Sequence, residues 1–280
     1  MFSETGGVVL LAAVLHASWN AMLHGNRDRF LSMTWMSIAI GAVSAVAVAA
    51  SPWPAPQAWP YIVASGLVHI LYNLGLVWSY RRGDLTLAYP IARGSSPLLV
   101  ALGATLFADE TIGPLQAAGV AMVSVGILAI ALQGRQVSRA GALGALATGA
   151  TIAVYTVIDG IGVRASGGQA LVYTAWIFLF YWLMPVLYAA LRGCRPLWTS
   201  VRDEPWSVGV SLGGGLVSLA AYGIVIWALQ SSALGAVSAL RETSVVFAVL
   251  IGRVVLRERV SAGRWLACLA VAAGAVCLGL

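Results

Sequence analysis

The chain contains no lysine. All 16 of its basic residues are arginines, and residues of either charge fill only 9% of its 280 positions. Soluble domains carry about 25% charged residues, so this composition excludes a soluble globular fold. Without lysine there is no Gly-x-x-x-x-Gly-Lys phosphate loop, and no cofactor is expected. Cysteine is scarce. Cys194, Cys268 and Cys277 show neither metal-ligand spacing nor a disulfide framework, and the last two sit in an apolar run as packing residues. Long polar stretches are scarce too. The longest, Arg192 to Glu204, is expected to be a loop, and the short connections leave no soluble domain. The formal net charge of +6 invites a nucleic-acid partner, but the arginines lie between apolar runs, where topology explains them better. No nucleic-acid partner is expected.

What the chain has is hydrophobic length. It is 60% hydrophobic, and a helix needs about 20 apolar residues to cross the hydrocarbon core. Ten segments qualify: Gly7–His24, Leu31–Ala50, Trp59–Tyr80, Leu85–Phe107, Pro114–Gln133, Gly141–Gly162, Ala170–Leu191, Trp206–Leu229, Gly235–Val255 and Gly263–Leu280. The expected fold class is all-α integral membrane, with ten transmembrane helices in the bilayer of the cell (inner) membrane. The first segment has no basic residue before it and runs into a second span after Gly25–Arg29, so it reads as a retained span rather than a cleaved signal.

The arginines are one-sided. Arg27, Arg29, Arg81, Arg82, Arg135, Arg139, Arg192, Arg195, Arg202, Arg257, Arg259 and Arg264 follow odd-numbered spans, whereas connections after even-numbered spans offer only Arg164. The positive-inside rule places the odd connections in the cytoplasm, and ten spans then leave both termini outside it. Trp53 and Trp59 on one side, and Trp198 and Trp206 on the other, suit interfacial anchoring.

Arg93 and Arg241 lie well inside spans, and their surroundings correspond. One offset of 148 residues carries Ala88 to Ala236, Arg93 to Arg241, Ser96 to Ser244, Leu102 to Leu250, Glu110 to Glu258 and Gly126 to Gly274. The chain therefore divides into a first five-helix repeat, 1–134, and a second, 135–280. Charge inside a bilayer is expensive and usually functional, and paired repeats place binding sites at their interface. If the halves are inverted, Arg93 and Arg241 enter from opposite faces and reach a chamber within roughly 5 Å of the midplane. Arginine stays ionised and donates bidentate hydrogen bonds to planar oxyanions. The competing reading is a structural lock to Glu242, which need not stabilise the fold because desolvation opposes the attraction. Pro90 and Pro97 are expected to break or bend the fourth span beside Arg93.

Other polar residues converge on the same interior. His16, Trp19 and Asn20 in the first span match His69, Tyr72 and Asn73 in the third, both reading His-x-x-aromatic-Asn. Spacings of three and four put each triplet on one helical face, near mid-bilayer. The competing reading is hydrogen-bonded glue between helices. Two histidines without a nearby carboxylate or thiol do not make a metal site, and no metal is expected. Tyr155 with Asp159, and Ser218 with Tyr222, are weaker echoes in the sixth and eighth spans; Asp159 has an interfacial reading as well. Tyr89 joins the binding candidates on the approach to Arg93. Tyr173, Trp176, Tyr181 and Trp182 in the seventh span read as belt or packing aromatics. Gly119, Gly126 and Gly274 assign the fifth and tenth spans to close packing, or to a homodimer contact.

The duplicated five-span plan, Pro97 followed by Glu110, and Glu258 in the matching place carry a family resemblance. Along its whole length the chain resembles the drug/metabolite transporter superfamily, specifically its ten-helix EamA-type members. The resemblance implies two inverted five-helix repeats around a central cavity. Helices one, three, four, six, eight and nine would line it, with the fifth and tenth peripheral. Two features depart from the pattern. Val245 stands where the family often has a proline, and many members have cytoplasmic termini. The stretch His16-x-x-Trp19-Asn20 also resembles a narrower group of permeases associated with phosphonate catabolism.

The expected function is a secondary transporter, not an enzyme, moving a small polar metabolite by alternating access. Arg93 and Arg241 hold an anionic group; Trp19, Tyr72, Tyr222 and Glu242 receive an amine. An amino acid or aminophosphonate fits both poles. Burial disfavours a charged carboxylate, so Glu242 and Asp159 are the candidates for proton or ion coupling. Two other classes stay open. A flippase or membrane-embedded enzyme acting on a phospholipid or polyprenyl phosphate requires a lateral opening beside Arg93. A non-transporting partner protein requires a sealed interior.

Overall fold

Inside hydrocarbon every backbone N–H and C=O must find a partner within the chain, so long apolar segments can only be helices. The computed structural model describes residues 4–26, 28–82, 85–133, 139–254 and 260–279, with the backbone alone at 24, 78–82, 85–89, 132, 139 and 140. These residues form thirteen α-helices, and no strand occurs among them. The first six spans are α1 (Glu4–His24), α2 (Arg29–Ala49), α3 (Trp59–Arg82), α4 (Leu85–Phe107), α5 (Pro114–Leu132) and α6 (Arg139–Ala165). The seventh is α7 (Ala170–Leu179) and α8 (Leu183–Arg192), joined by a 3-10 turn at Phe180–Trp182. Pro185 cannot donate back to the Tyr181 carbonyl, which accounts for the change of winding there. After α9 (Arg195–Asp203) come the eighth span, α10 (Pro205–Leu229), the ninth, α11 (Leu234–Glu242) with α12 (Ser244–Val254), and the tenth, α13 (Ala262–Gly279). Among the described residues nine spans are long and apolar enough to cross a membrane. The remaining one, α4, has 23 residues, against the roughly 20 that a crossing requires.

Two expectations are corrected. The polar stretch Arg192 to Glu204 is not a loop: its middle is helix α9. Pro196 sits in the first turn, where its missing N–H costs nothing. Ser200 turns inward and accepts a 3.1 Å hydrogen bond from Trp35 on α2, while Trp198 stays exposed. Polar composition hid a helix with one buried side. The second correction concerns the broken span. Helix α4 runs unbroken through Pro90 and Pro97, and the interruption falls in the ninth span instead, at Thr243. That residue has φ −59° and ψ −12°, tighter winding than an α-turn. Its hydroxyl donates to the Leu240 carbonyl at 2.6 Å, a local bond that competes with regular helix.

Helix pairing follows a rule. The first span packs on the eighth, the fourth on the sixth, and the second on the eighth. Moving each number by five gives the third on the sixth, the first on the ninth, and the third on the seventh, all of which also pack. The pairs two–seven, four–nine and five–ten map onto themselves. The fifth and tenth spans show the same exchange in detail. A Cβ on Gly119 would stand 3.0 Å from the Gly274 carbonyl, and one on Gly126 would stand 3.0 Å from the Ala267 carbonyl. The 148-residue offset carries Gly119 to Ala267 and Gly126 to Gly274, so it turns one contact into the other. The small residues are thus engaged in joining α5 to α13 within the chain.

Ionic contacts gather the connections by side. Asp28, after the first span, pairs with Arg192 at the end of the seventh. On the other side Arg164, in the last turn of the sixth, pairs with Glu110, after the fourth, at 2.6 Å. Arg164 also donates to the carbonyls of Leu229 and Ser232 beyond the eighth span. The second Glu110 oxygen accepts the Leu234 N–H and so caps α11. Glu258 lies outside the described residues, as do the side chains of Arg27, Arg81, Arg82, Arg135, Arg139, Arg257 and Arg259.

Candidate functional site

Helical spacing delivers the polar side chains to one place. His16 and Trp19 on α1, His69, Tyr72 and Asn73 on α3, Arg93 on α4, Tyr155 on α6, Ser218 and Tyr222 on α10 and Arg241 on α11 all line one cavity. Nine of the expected binding residues therefore share a chamber. Asn20 does not line it: its amide turns back to the His16 carbonyl at 2.7 Å. The side chain of Tyr89 lies outside the described residues.

At one pole two arginines meet one carboxylate. Arg93 Nη1 donates to Glu242 Oε2 at 2.7 Å, and Arg241 Nε donates to Oε1 at 3.0 Å. Arg241 Nη1 reaches Thr156 at 3.4 Å, and its guanidinium lies 5.9 Å from the Tyr155 ring centre. All three charged side chains are at most 4% exposed. Glu242 is absent from the cavity wall and sits behind the arginines. The group carries two positive charges and one negative, so its positive surplus faces the cavity. Desolvating a lone pair can cost as much as its attraction returns; a surplus guanidinium in such a site favours an anionic guest.

Aromatic rings form much of the remaining wall, beginning at Tyr155 beside Arg241. The His69 ring stacks 4.2 Å from Tyr155, with Tyr222 at 5.1 Å and Phe178 at 5.8 Å; Tyr72 stands 5.6 Å from Tyr155. Trp19 donates its indole N–H to His16 Nδ1 at 2.9 Å, which leaves Nε2 buried without a protein partner. The faces of such rings carry partial negative charge, and a face left open to the cavity attracts cations.

Behind that wall lies Asp159. It is fully buried in the protein. Tyr222 donates to Oδ2 at 2.6 Å and Tyr173 to Oδ1 at 3.2 Å. Ser65 stands between Asp159 and His69, its hydroxyl 3.1 Å from His69 Nδ1. Among the described residues no group of three His, Cys, Asp or Glu side chains gathers as a metal site.

The seventh span corrects a further expectation. Tyr181 lines the cavity with Phe178, and Tyr173 holds Asp159; only Trp182 is exposed, and Trp176 stacks on Trp53 and Trp59. The second span contributes Met33, Met36 and Ile40. The cavity wall therefore includes the second and seventh spans besides those the resemblance implied. Sequence reasoning passed over Phe178, Met33, Met36 and Ile40, which are not polar enough to look costly in lipid, and left Tyr181 among the belt or packing aromatics. Their spacing of three to four residues was the available signal.

None of the curated proteins compared with the chain matches it. A solved crystal structure described only as that of a protein matches it with a TM-score of 0.71 at 21% identity, covering 98% of this chain and 94% of the other. At that identity the likeness is one of fold. The EamA-like transporter family matches residues 139–280, just over half of the chain. That match begins at α6 and takes in Asp159, Tyr222 and the Arg241–Glu242 pair. A multi-pass helical chain that folds around buried charge in this way, over this sequence, belongs to the EamA-like transporter family.

Proposed function

We propose that the protein is a secondary transporter that moves a small anionic or zwitterionic metabolite, of the amino acid or aminophosphonate class, across the cell membrane by alternating access. The observation that carries this reading is the pair of arginines lining, with a net positive charge, a cavity whose wall is otherwise rich in aromatic rings. A carboxylate or phosphonate fits the guanidinium groups, and an ammonium fits the rings. The burial of the arginines favours a small solute over a lipid head group, which needs a lateral groove beside Arg93. The cavity is a feature that a sealed partner protein would not need.

The two halves are read as inverted repeats. The five-span exchange of helix contacts and the paired Gly119–Gly274 and Gly126–Ala267 approaches support this. A unit with five crossings re-enters from the opposite face, so its copy is inverted, and a site at the repeat interface can face either side. The arginine bias supports an orientation with both termini outside the cytoplasm.

A thermal-shift screen of the purified protein against amino acids, phosphonates and sugar phosphates tests the reading. Compounds with a carboxylate or phosphonate next to an amine should stabilise it most. Stabilisation by neutral or purely cationic compounds alone overturns it.

A further inference from the structure

Asp159 is a buried carboxylate whose hydrogen bonds come from the hydroxyl groups of Tyr173, Tyr222 and Ser65 rather than from cations. The arginine pair has the converse imbalance, one positive charge beyond what Glu242 supplies. In a poorly solvated interior each imbalance is costly alone, and together they cancel. We propose that Asp159 is the proton-linked counter-charge of the arginine site, so that a bound monoanion is accompanied by one proton on Asp159. This rests on the anion-binding reading above.

The argument is a charge balance. Arg93, Arg241, Glu242 and Asp159 sum to zero while the cavity holds no guest. A monoanion bound to the arginines cancels their surplus and leaves Asp159 as a negative charge with no compensation. Taking one proton from solution restores the sum to zero. The coupling is reciprocal: protonation of Asp159 leaves the arginines with a surplus that favours the anion. The hydrogen-bond network tolerates both states. Tyr222 and Tyr173 now donate to the carboxylate; once one of its oxygens carries a proton, that O–H donates and a tyrosine oxygen accepts, since a phenol does both. Glu242 suits the role less well, because both of its oxygens are held by guanidinium groups.

Other titratable groups surround the network. His69 and Tyr72 on α3, with Tyr61 at its outer end, His16 on α1, Tyr155 on α6, Tyr173 on α7, Tyr181 on the turn after it and Tyr222 on α10 face Asp159 or the arginines. Helix α5 has no titratable residue, and α13 has only Arg264, Cys268 and Cys277. The histidines are therefore the competing proton acceptors.

The test uses the full chain in detergent with two probes, acetate as a monoanion and glycine as a zwitterion. Proton uptake is read by calorimetry in buffers of different ionisation enthalpy. Acetate should bind wild type with uptake of one proton, and its affinity should fall about tenfold per pH unit where one proton is fully linked. Glycine, which carries its own positive charge, should bind with no uptake. Asp159→Asn should bind acetate without uptake and with little pH dependence; Asp159→Glu should restore both. Acetate binding to wild type without proton uptake overturns the proposal, and this holds even if Asp159→Asn fails to fold. Uptake that survives in Asp159→Asn but disappears in His16→Gln or His69→Gln also overturns it. If neither acetate nor glycine binds folded wild type, the anion-binding reading itself is wrong and the inference falls with it.

Discussion

Arg93 and Arg241 occupy equivalent places in the two halves, yet the helices around them differ. In the first half Arg93 is followed by Gly94, and the helix continues through Pro97. In the second half Arg241 is followed by Glu242, Val245 replaces the proline, and the helix is interrupted at Thr243. One glutamate thus serves two arginines. A Cβ at Gly94 would stand 2.9 Å from Leu128 of α5, so the first half has little room there for a second acid. The difference shows how a duplicated scaffold acquires a charge that its symmetry does not supply. The positive groups are kept twice and the negative group once, so a surplus remains for a guest.

The strongest way to break this comparison is to remove the shared acid. Glu242→Gln leaves two buried guanidinium groups without a carboxylate. Losing one partner of a buried ion pair costs about 3–5 kcal/mol, so thermal unfolding in detergent should show the largest fall of any single change proposed for the site. A fall no larger than that of a surface substitution would mean that the acid is not the common partner.

A smaller effect should separate the arginines from each other. Lysine keeps the charge and loses the planar fork. Both Arg93→Lys and Arg241→Lys should weaken binding of a stabilising ligand on the order of tenfold to a hundredfold, the value of one charge-assisted hydrogen bond. Arg241→Lys should lie at the upper end, because Arg241 also contacts Thr156 and the Tyr155 ring. Wild-type affinity in both variants would end the oxyanion reading and leave the pair as a lock between α4 and α11.

The smallest effect sharpens the symmetry itself. Gly119→Ala and Gly126→Ala each push a methyl against the backbone of α13, at 3.0 Å from a carbonyl oxygen. Overpacking of this kind costs about 1–3 kcal/mol. The two substitutions should lower the melting temperature by similar amounts. A marked inequality would show that the exchange of contacts does not extend to their energies.

Much of this site could be read from residues whose presence in lipid is hard to explain otherwise. His16, His69, Asn73, Arg93 and Arg241 are polar, and their spacing placed them on inward faces. Asp159 was visible but its depth was not, because a residue near the end of a long helix has the same sequence neighbours whether the helix tilts or ends there. Phe178, Tyr181 and the second-span methionines carry no such mark, since an apolar side chain is at ease in lipid and in a cavity wall alike. The interruption at Thr243 was unreadable for a different reason. It arises from a threonine hydroxyl and its own backbone, without the proline or glycine that announces a break, whereas α4 kept two prolines and stayed helical. Helix α9 was hidden by averaging: its polarity is real, but Leu197 packs on the core and the buried Ser200 finds its partner across the chain in Trp35.

The tyrosines around Asp159 bear on what kind of guest the proposed transporter would accept. Tyr222 lines the cavity, but its hydroxyl is already engaged with Asp159. A guest therefore meets its ring and not its phenol. Beside Phe178 and the thioethers of Met33 and Met36, that wall resembles an aromatic solvent more than a hydrogen-bonding template. Such a surface ranks side chains by how readily they leave water, in steps of about 1–3 kcal/mol per methylene. The head group of the cargo would be checked at the arginines, and its tail by size and oiliness along this wall and by hydrogen bonding at His16 Nε2, which has no protein partner.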